Sequence, residues 1–467
     1  MPEKEKSGYY FGENSEKDVE KFVGIDAYST STIESISGIF KHSFKDFIVK
    51  EILSNGRVLE IKEDRRPQSF SEKLKDRYTT FNLVKINMDT FEALRKVGNA
   101  LKISANRFFY SGLKDRCAIS VQKVSIKGNF VESLKKLRLR DIFIRSISST
   151  KTPVKLGGNK GNHFTVIIRN IENKSNLKDL IDNLFVTLNQ QGFLNLFGIQ
   201  RFGQYRPNSH NVGRYLLEGN YKKAFNEFVS IVYSTESPHL QQIRGSIKNE
   251  KDFENAYNIF PISLYYERAM IKHMLDHPGD YKGSFEVIQR DLKTLFISAF
   301  QSYLFNKIIS LRIKKGISLL NPVKGDVISI LDEENGHITQ IKYIYGTLNG
   351  MYDKYLDKAI KLNRAVIVIP IIGYNTNLND FPLIKSIFED IVQQEGINPN
   401  IFRNELLYQF EFKGAFRAMT TKPIGLRFIE LEGDELFPGN KKLKFEFSLN
   451  KGSYATMVIR ELIKNSN

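Results

Sequence analysis

The sequence predicts an α+β protein with a mixed or antiparallel sheet, and three observations carry that prediction. Strand-like and helix-like stretches interleave without the regular βαβ alternation of a doubly wound fold. Some apolar patterns alternate with period two, while others recur at the 3.6-residue spacing of a helix face. With 467 residues, 41% of them hydrophobic and 26% charged, the chain is long enough for two or three domains and too apolar to be disordered throughout.

The first 38 residues mix charge with Ser, Thr and Gly and show little periodicity, which predicts a loosely ordered N-terminal extension. From Phe47 the set Phe47, Val49, Glu51 alternates with Ile48, Lys50, Ile52, a strand pattern, and residues 79–86 read as a second strand. Asp89 followed three residues later by Glu92 is a helix start, after which Phe91, Leu94, Val97 and Leu101 recur at helical spacing. Residues 107–111, 121–127 and 164–169 are rich in aromatic or β-branched side chains and read as strands. Leu177, Leu180, Ile181, Leu184, Phe185 and Leu188 form one apolar stripe, and Gly192 stands where that helix would stop, which predicts a domain boundary. Beyond it, 294–313 and 383–391 read as helices, and 326–331, 365–369 and 443–447 as strands. Ser453 is placed to cap a last helix over 457–464. No internal repeat at a period of 20 to 50 residues is evident.

A formal charge of +17 suits a polyanionic partner, with nucleic acid ahead of an anionic membrane. The densest apolar run, 365–372, is interrupted by Pro370 and falls short of the roughly 18 residues a membrane span needs. The polar, charged start lacks the apolar stretch of a secretory signal, so a cytoplasmic protein is expected. One cysteine, Cys117, makes neither an internal disulfide nor a Cys-based zinc site, and the seven histidines show no HExxH or HxH spacing. We expect no metal.

The densest polar constellation is the stretch from Ser111 to Gln122, between two predicted strands, where Gly112 permits a tight turn. Asp115, flanked by Lys114 and Arg116, is favoured as an anion, which suits a nucleophile or an electrostatic stabiliser over a general acid. The plainer alternative is a hairpin turn with solvated charges. Glycines in 156–164 allow close approach to a phosphate backbone, although the stretch matches neither a P-loop nor a dinucleotide fingerprint and also reads as a strand connection. Residues 195–208 interleave Arg201 and Arg206 with aromatics, a pattern that suits phosphate contact beside base stacking, or an ordinary exposed loop. Lys135, Lys136, Arg138 and Arg140 make a basic run that is most simply a solvated face. His163 and His210 receive no catalytic role.

In their order along the chain these stretches resemble the TruD family of RNA pseudouridine synthases. Phe47-Ile48-Val49-Lys50-Glu51 is similar to the family's F-x-V-x-E, and Gly112 to Gln122 to G-x-K-D-x-x-A-x-T-x-Q, with Ser120 in the Thr position. Gly161-Asn162-His163-Phe164 resembles G-N-x-F, and 195–203 resembles N-x-F-G-x-Q-R-F-G. Residues 298–306 resemble S-A-x-x-S-x-L-F-N, and 452–456 the closing G-S-Y-A-T. The motifs run from about Lys41 to Glu461, nearly the whole chain. Phe44-Lys45-Asp46 departs from the common Pro-Glu-Asp, and Asn450 from a Pro before the last turn.

The resemblance implies a pseudouridine synthase catalytic domain over 39–191 and 422–467, interrupted by a large α/β insertion (TRUD) domain over 192–421, long as in archaeal and eukaryotic members. It implies that Asp115 is the catalytic aspartate and that Lys41, Phe47, Asn162, Phe164 and Tyr454 surround the uridine. Arg116, Arg201 and Arg206 are the candidates for RNA contact. The implied reaction is isomerisation of uridine to pseudouridine in tRNA, at position 13, with no cofactor. The partner is tRNA or another structured RNA, with no membrane and no obligatory protein partner. Asp115 suits either attack at C1′ or proton abstraction at C2′. Three other readings stand beside it: a pseudouridine synthase for another RNA site, a noncatalytic RNA-binding protein, and a carboxylate glycoside hydrolase with a second catalytic acid. The last two do not account for the ordered motif set.

Overall fold

Alternating apolar residues build a nine-stranded sheet in one of the two compact units of the chain, the unit made of Thr30–Phe193 and Thr421–Ser466. The computed structural model describes residues 3–5, 8–11, 15–64, 78–332, 337–347 and 350–464. The sheet comprises β1 (Ile39–Phe40), β2 (Phe47–Ile52), β3 (Tyr78–Ile86), β4 (Phe108–Tyr110), β5 (Ile119–Lys127), β6 (Ile142–Thr150), β7 (Gly161–Ile171), β8 (Ile424–Gly433) and β9 (Lys441–Asn450). Its order is β8-β9-β7-β2-β5-β3-β6, with β1 beside β7 and β4 beside β5. Only β2 and β5 run parallel; the other neighbours are antiparallel, so the sheet is mixed. The polar strand β6 has no sequence signal as clear as the others, and it lies at a sheet edge, where fewer apolar side chains are required.

Register sets the functional face. Phe447, Phe164, Val49, Ser120 and Lys85 stand side by side across β9, β7, β2, β5 and β3, and Leu449, Asn162 and Glu51 form the adjoining row. Because side chains alternate along each strand, these rows share one face. Gly161 permits the approach of β7 to β9: a Cβ there would stand 2.0 Å from the Leu449 carbonyl oxygen.

Helix α1 (Thr90–Leu101) starts as its sequence signal predicts, with the Asp89 side chain accepting from the Glu92 N–H. It buries Ala93, Leu94 and Val97 against Phe81, Leu83, Val124 and Ile126, at about 1.5–3 kcal/mol for each large apolar side chain. Phe91 departs from the expected stripe and is exposed, because the buried face centres on Thr90, Ala93, Leu94 and Val97 and leaves Phe91 on the flank. Helix α2 (Leu177–Gln191) buries the whole predicted stripe and ends at Gly192, whose φ of 78° is one that L side chains rarely adopt. Phe185 of α2 meets Phe445 of β9 edge to face. Helix α3 (Ala455–Ile463) begins two residues earlier than expected. Tyr454, not Ser453, is its N-cap, and no side chain caps it, because the helix takes in Ala455 and leaves Ser453 outside.

The other unit, Met1–Ser29 with Leu194–Thr420, is built around the helix Arg290–Lys314. Helices Ser209–Leu217, Tyr221–Val229 and Tyr265–Asp276 share a core with its Phe296. A four-stranded antiparallel sheet runs in the order Ile338–Ile344, Val327–Leu331, Ala365–Ile371, Ala415–Ala418.

The expectation of a loose extension over 1–38 needs correction where those residues are described; 1–2, 6–7 and 12–14 lie outside them. Gly8–Tyr10 pairs in parallel with Val232–Tyr233, and Ser15–Phe22 is a helix with Val19 buried. The Val23 and Gly24 carbonyls accept from Asn306 and Ser310 of the long helix. Further on, Thr30 donates from its main-chain N–H and its hydroxyl to the carboxylate of Glu461 in α3. Long-range contacts, which leave no local period, hold the described residues of this segment. Among the described residues, no helix is long and apolar enough to cross a membrane.

Candidate active site

Three loops meet at one end of the nine-stranded sheet. The Ser111 carbonyl accepts from the Gly157 N–H at 2.7 Å, the Gly157 carbonyl from Lys451 Nζ at 2.9 Å, and the Lys160 carbonyl from the Lys451 N–H at 3.0 Å. Residues 111–118, 157–160 and 451–454, far apart in sequence, are thereby joined.

Asp115 lies in the first loop. Its Oδ2 accepts from Lys41 Nζ at 2.9 Å, and both side chains remain partly exposed, at 32% and 23%. Lys41 has φ 56°, a left-handed conformation that costs a non-glycine residue about 1–2 kcal/mol and marks a position where the surroundings dictate geometry. Its ammonium stands 4.3 Å from the centroid of the Phe47 ring. Phe47 is almost wholly buried and stacks in turn on Phe164 at 5.7 Å. Its ring thus lies against Lys41 on one side and Phe164 on the other.

Beneath the loop the sheet face is polar and buried. Glu51 accepts from Lys114 Nζ at 3.0 Å, from the Ser111 hydroxyl, and from the Lys123 N–H at 3.2 Å. The Lys114 N–H donates to Thr90 Oγ1 at 3.0 Å, Thr90 donates to Gln122 Oε1, and Gln122 donates to the Gly112 carbonyl. Lys114 thus points into the protein and away from Asp115. Arg116 is 71% exposed, with Glu92 at 3.8 Å. The expectation that Lys114 and Arg116 partner Asp115 is therefore corrected: Lys41, 74 residues upstream, does so. Gly112 has no positive φ, and open space surrounds the position of an added Cβ, so the turn itself does not require glycine.

Asn162 stands opposite Glu51 in register, and its Oδ1 is buried without a hydrogen-bond partner. An orphaned buried amide oxygen is an unfilled acceptor. Phe164, in the next row, is 6% exposed and stacked in line with Phe47 and with Phe447 at 5.3 Å. Its ring is sandwiched between those two. Tyr454 is half-buried at the start of α3. Across the sheet, His163 accepts or donates at Ser448 Oγ, 3.0 Å away, and burial pushes its imidazole pKa down. Sequence reasoning missed Lys85, whose Nζ donates to the Asp115 carbonyl; within a strand it reads as one more polar position.

Arg201 and Arg206 belong to the other unit. Arg201 is half-buried and donates to Ser302 Oγ at 3.3 Å. Arg206 is 10% exposed, pairs with Glu236 at 3.1 Å, and donates to the carbonyls of Glu227, Phe228 and Ile231. Those carbonyls include the unsatisfied end of the helix Tyr221–Val229, so Arg206 caps that helix. The neighbouring motif residues are clasps too: Asn306 accepts from the Phe197 N–H and donates to its carbonyl. Among the described residues no group of three or more His, Cys, Asp or Glu is placed to hold a metal ion.

A family model described as tRNA pseudouridine synthase D (TruD) matches residues 22–462. The chain is 34% identical over 457 residues to a Methanosarcina mazei protein named "Probable tRNA pseudouridine synthase D", covering 96% of this chain and 98% of that one. It is 33% identical to a protein of the same name from Methanosarcina acetivorans, over 96% of this chain and 97% of the other. The crystal structure of a Methanosarcina mazei chain titled "Putative tRNA pseudouridine synthase D (TruD)" matches with a TM-score of 0.76 at 31% identity, covering 96% of this chain and 98% of that chain.

Proposed function

Since this chain belongs to the tRNA pseudouridine synthase D family, we propose that it isomerises the uridine at position 13 of tRNA, with Asp115 as the catalytic carboxylate. It is a pseudouridine synthase acting on tRNA; the target position and the residue roles are our reading. The observation that carries it is the Asp115–Lys41 pair, held at 2.9 Å beside a sheet face on which Asn162 keeps a buried, unfilled acceptor.

The reaction breaks the C1′–N1 bond of uridine, turns the freed uracil, joins C5 to C1′, and moves the C5 proton to N1. Nothing is oxidised or released. Asp115 is suited to the ribose, either as a nucleophile at C1′ or as a base at C2′. Lys41 steadies that carboxylate, and Phe47 steadies Lys41. Asn162 Oδ1 suits the N3–H of uracil, and its NH₂ group suits a uracil carbonyl. The base must leave its stack, at a few kcal/mol, and Phe164 and Tyr454 wall the place that receives it. Arg116, exposed beside Asp115, fits an RNA phosphate.

The test is Asp115→Asn, which removes the charge and keeps the shape. We expect isomerisation below about a thousandth of the wild-type rate with tRNA affinity within about tenfold. Turnover near the wild-type rate removes Asp115 from the mechanism.

A further inference from the structure

Lys85 stands near the end of β3 with none of its surface exposed. Its partner in register is Ser120 of β5, so it shares the face that carries Glu51 and Asn162. Its Nζ donates to the main-chain carbonyl of Asp115 at 2.6 Å and to that of Met88 at 2.7 Å. Among the described residues, no carboxylate forms an ion pair with this ammonium. Withdrawing an ammonium from water without a paired carboxylate is costly, and a methionine would fill the same space without that cost. The site chemistry described above gives Lys85 nothing to do.

We propose that Lys85 is a positioning residue that clamps the main chain of Asp115 to the turn at Met88 and so fixes the direction in which the carboxylate meets the ribose. This rests on the reading that Asp115 is the catalytic group. Lys41 acts on the carboxylate and Lys85 on the backbone behind it, so Asp115 is set from both ends. The charges that face Lys85 are the carboxylates of Asp115 and Asp89 and the ammoniums of Lys114 and Lys41. Burial holds Lys85 down to about 8, against the opposing pull of the two carboxylates. Its charge is present at neutral pH and lost as pH rises through that value, which weakens the clamp.

The experiment follows single-turnover isomerisation of tRNA from about pH 7 to about pH 9 at saturating enzyme, with tRNA affinity and melting temperature measured alongside, for wild type and Lys85→Met. We expect the wild-type rate to fall about tenfold across that range as the charged fraction falls. Lys85→Met is expected to be slower by about a hundredfold at pH 7, with no such fall and with tRNA affinity within about threefold. A Lys85→Met protein that melts lower yet keeps the wild-type rate and profile overturns the proposal, as does a flat wild-type profile. Should Lys85→Met fail to fold, Lys123→Met decides, because burial also holds Lys123 to about 8. A fall in rate that persists in Lys123→Met supports the clamp, and one that vanishes there overturns it. Asp115→Asn, assayed in parallel, separates the two readings. If it is active, the catalytic assignment fails; if it is inactive beside a normal Lys85→Met, only the clamp fails.

Discussion

Residues 111–122 carry one arginine, Arg116, among small and charged neighbours, whereas residues 195–208 set Arg201 and Arg206 among aromatics, and Arg116 and Arg206 are used in opposite ways. Arg116 extends to solvent with a loose partner in Glu92. Arg206 turns inward and closes the end of the helix Tyr221–Val229. A guanidinium offers five donors in a fixed fork, and the nearest supply of acceptors decides where it goes. Where a helix ends beside the arginine, its free carbonyls capture the fork; where the chain turns at the rim of a sheet, water does. Interleaving of arginine with aromatics therefore does not by itself place a guanidinium at the surface; the ends of neighbouring helices decide where it goes.

Arg206→Met breaks the comparison most forcefully. Three carbonyls lose a donor and Glu236 loses one of its two arginines. The expected loss is about 3 kcal/mol of stability in denaturant unfolding, with the salt dependence of tRNA binding unchanged in the folded protein. A changed salt slope at full stability would return Arg206 to the RNA interface.

Phe164→Leu asks the same inward-or-outward question of a ring. Leucine keeps apolar volume and is expected to cost under about 1.5 kcal/mol of stability, while loss of the ring slows single turnover by about tenfold. An unchanged rate would assign Phe164 to the core alone. The smallest effect belongs to Arg116→Gln, expected to reduce the slope of log affinity against log salt by about 1 and to alter stability by less than about 0.5 kcal/mol. A slope equal to that of wild type would leave Arg116 without a phosphate.

Much of the fold is legible because its signals are local. The Asp89 cap, the α2 stripe, the alternation in β2 and the aromatic and β-branched content of β5 and β7 each follow from neighbours within a few residues. Edge strand β6 is less legible, since water relieves it of an apolar pattern, and the N-terminal segment is ordered by side chains nearly 300 positions away, such as Asn306. The site divides in the same manner. Asp115, Asn162 and Tyr454 sit in motifs that a family resemblance makes readable, whereas the pairing of Lys41 with Asp115 and of Lys114 with Glu51 depends on sheet register. Lys85 is invisible in the sequence for that reason: only once Ser120 is known to stand beside it does its burial, and its reach to the Asp115 carbonyl, become apparent.

The sheet that holds this site is made from two stretches of chain with another unit encoded between them, and this has a consequence for biosynthesis. Strand β7 finds β2 as soon as residue 171 has left the ribosome, but its other neighbour, β9, begins at residue 441. At about 5–20 residues per second that interval lasts roughly 15 to 55 seconds. Throughout it, β7 presents an open row of N–H and C=O groups beside Phe164, Val166 and Ile168, a template for a strand from another nascent chain. The 194–420 region has that time to fold, and Asn162 gains its place opposite Leu449 only at the end of translation, so the sheet face that carries Asn162 is among the last parts to be completed.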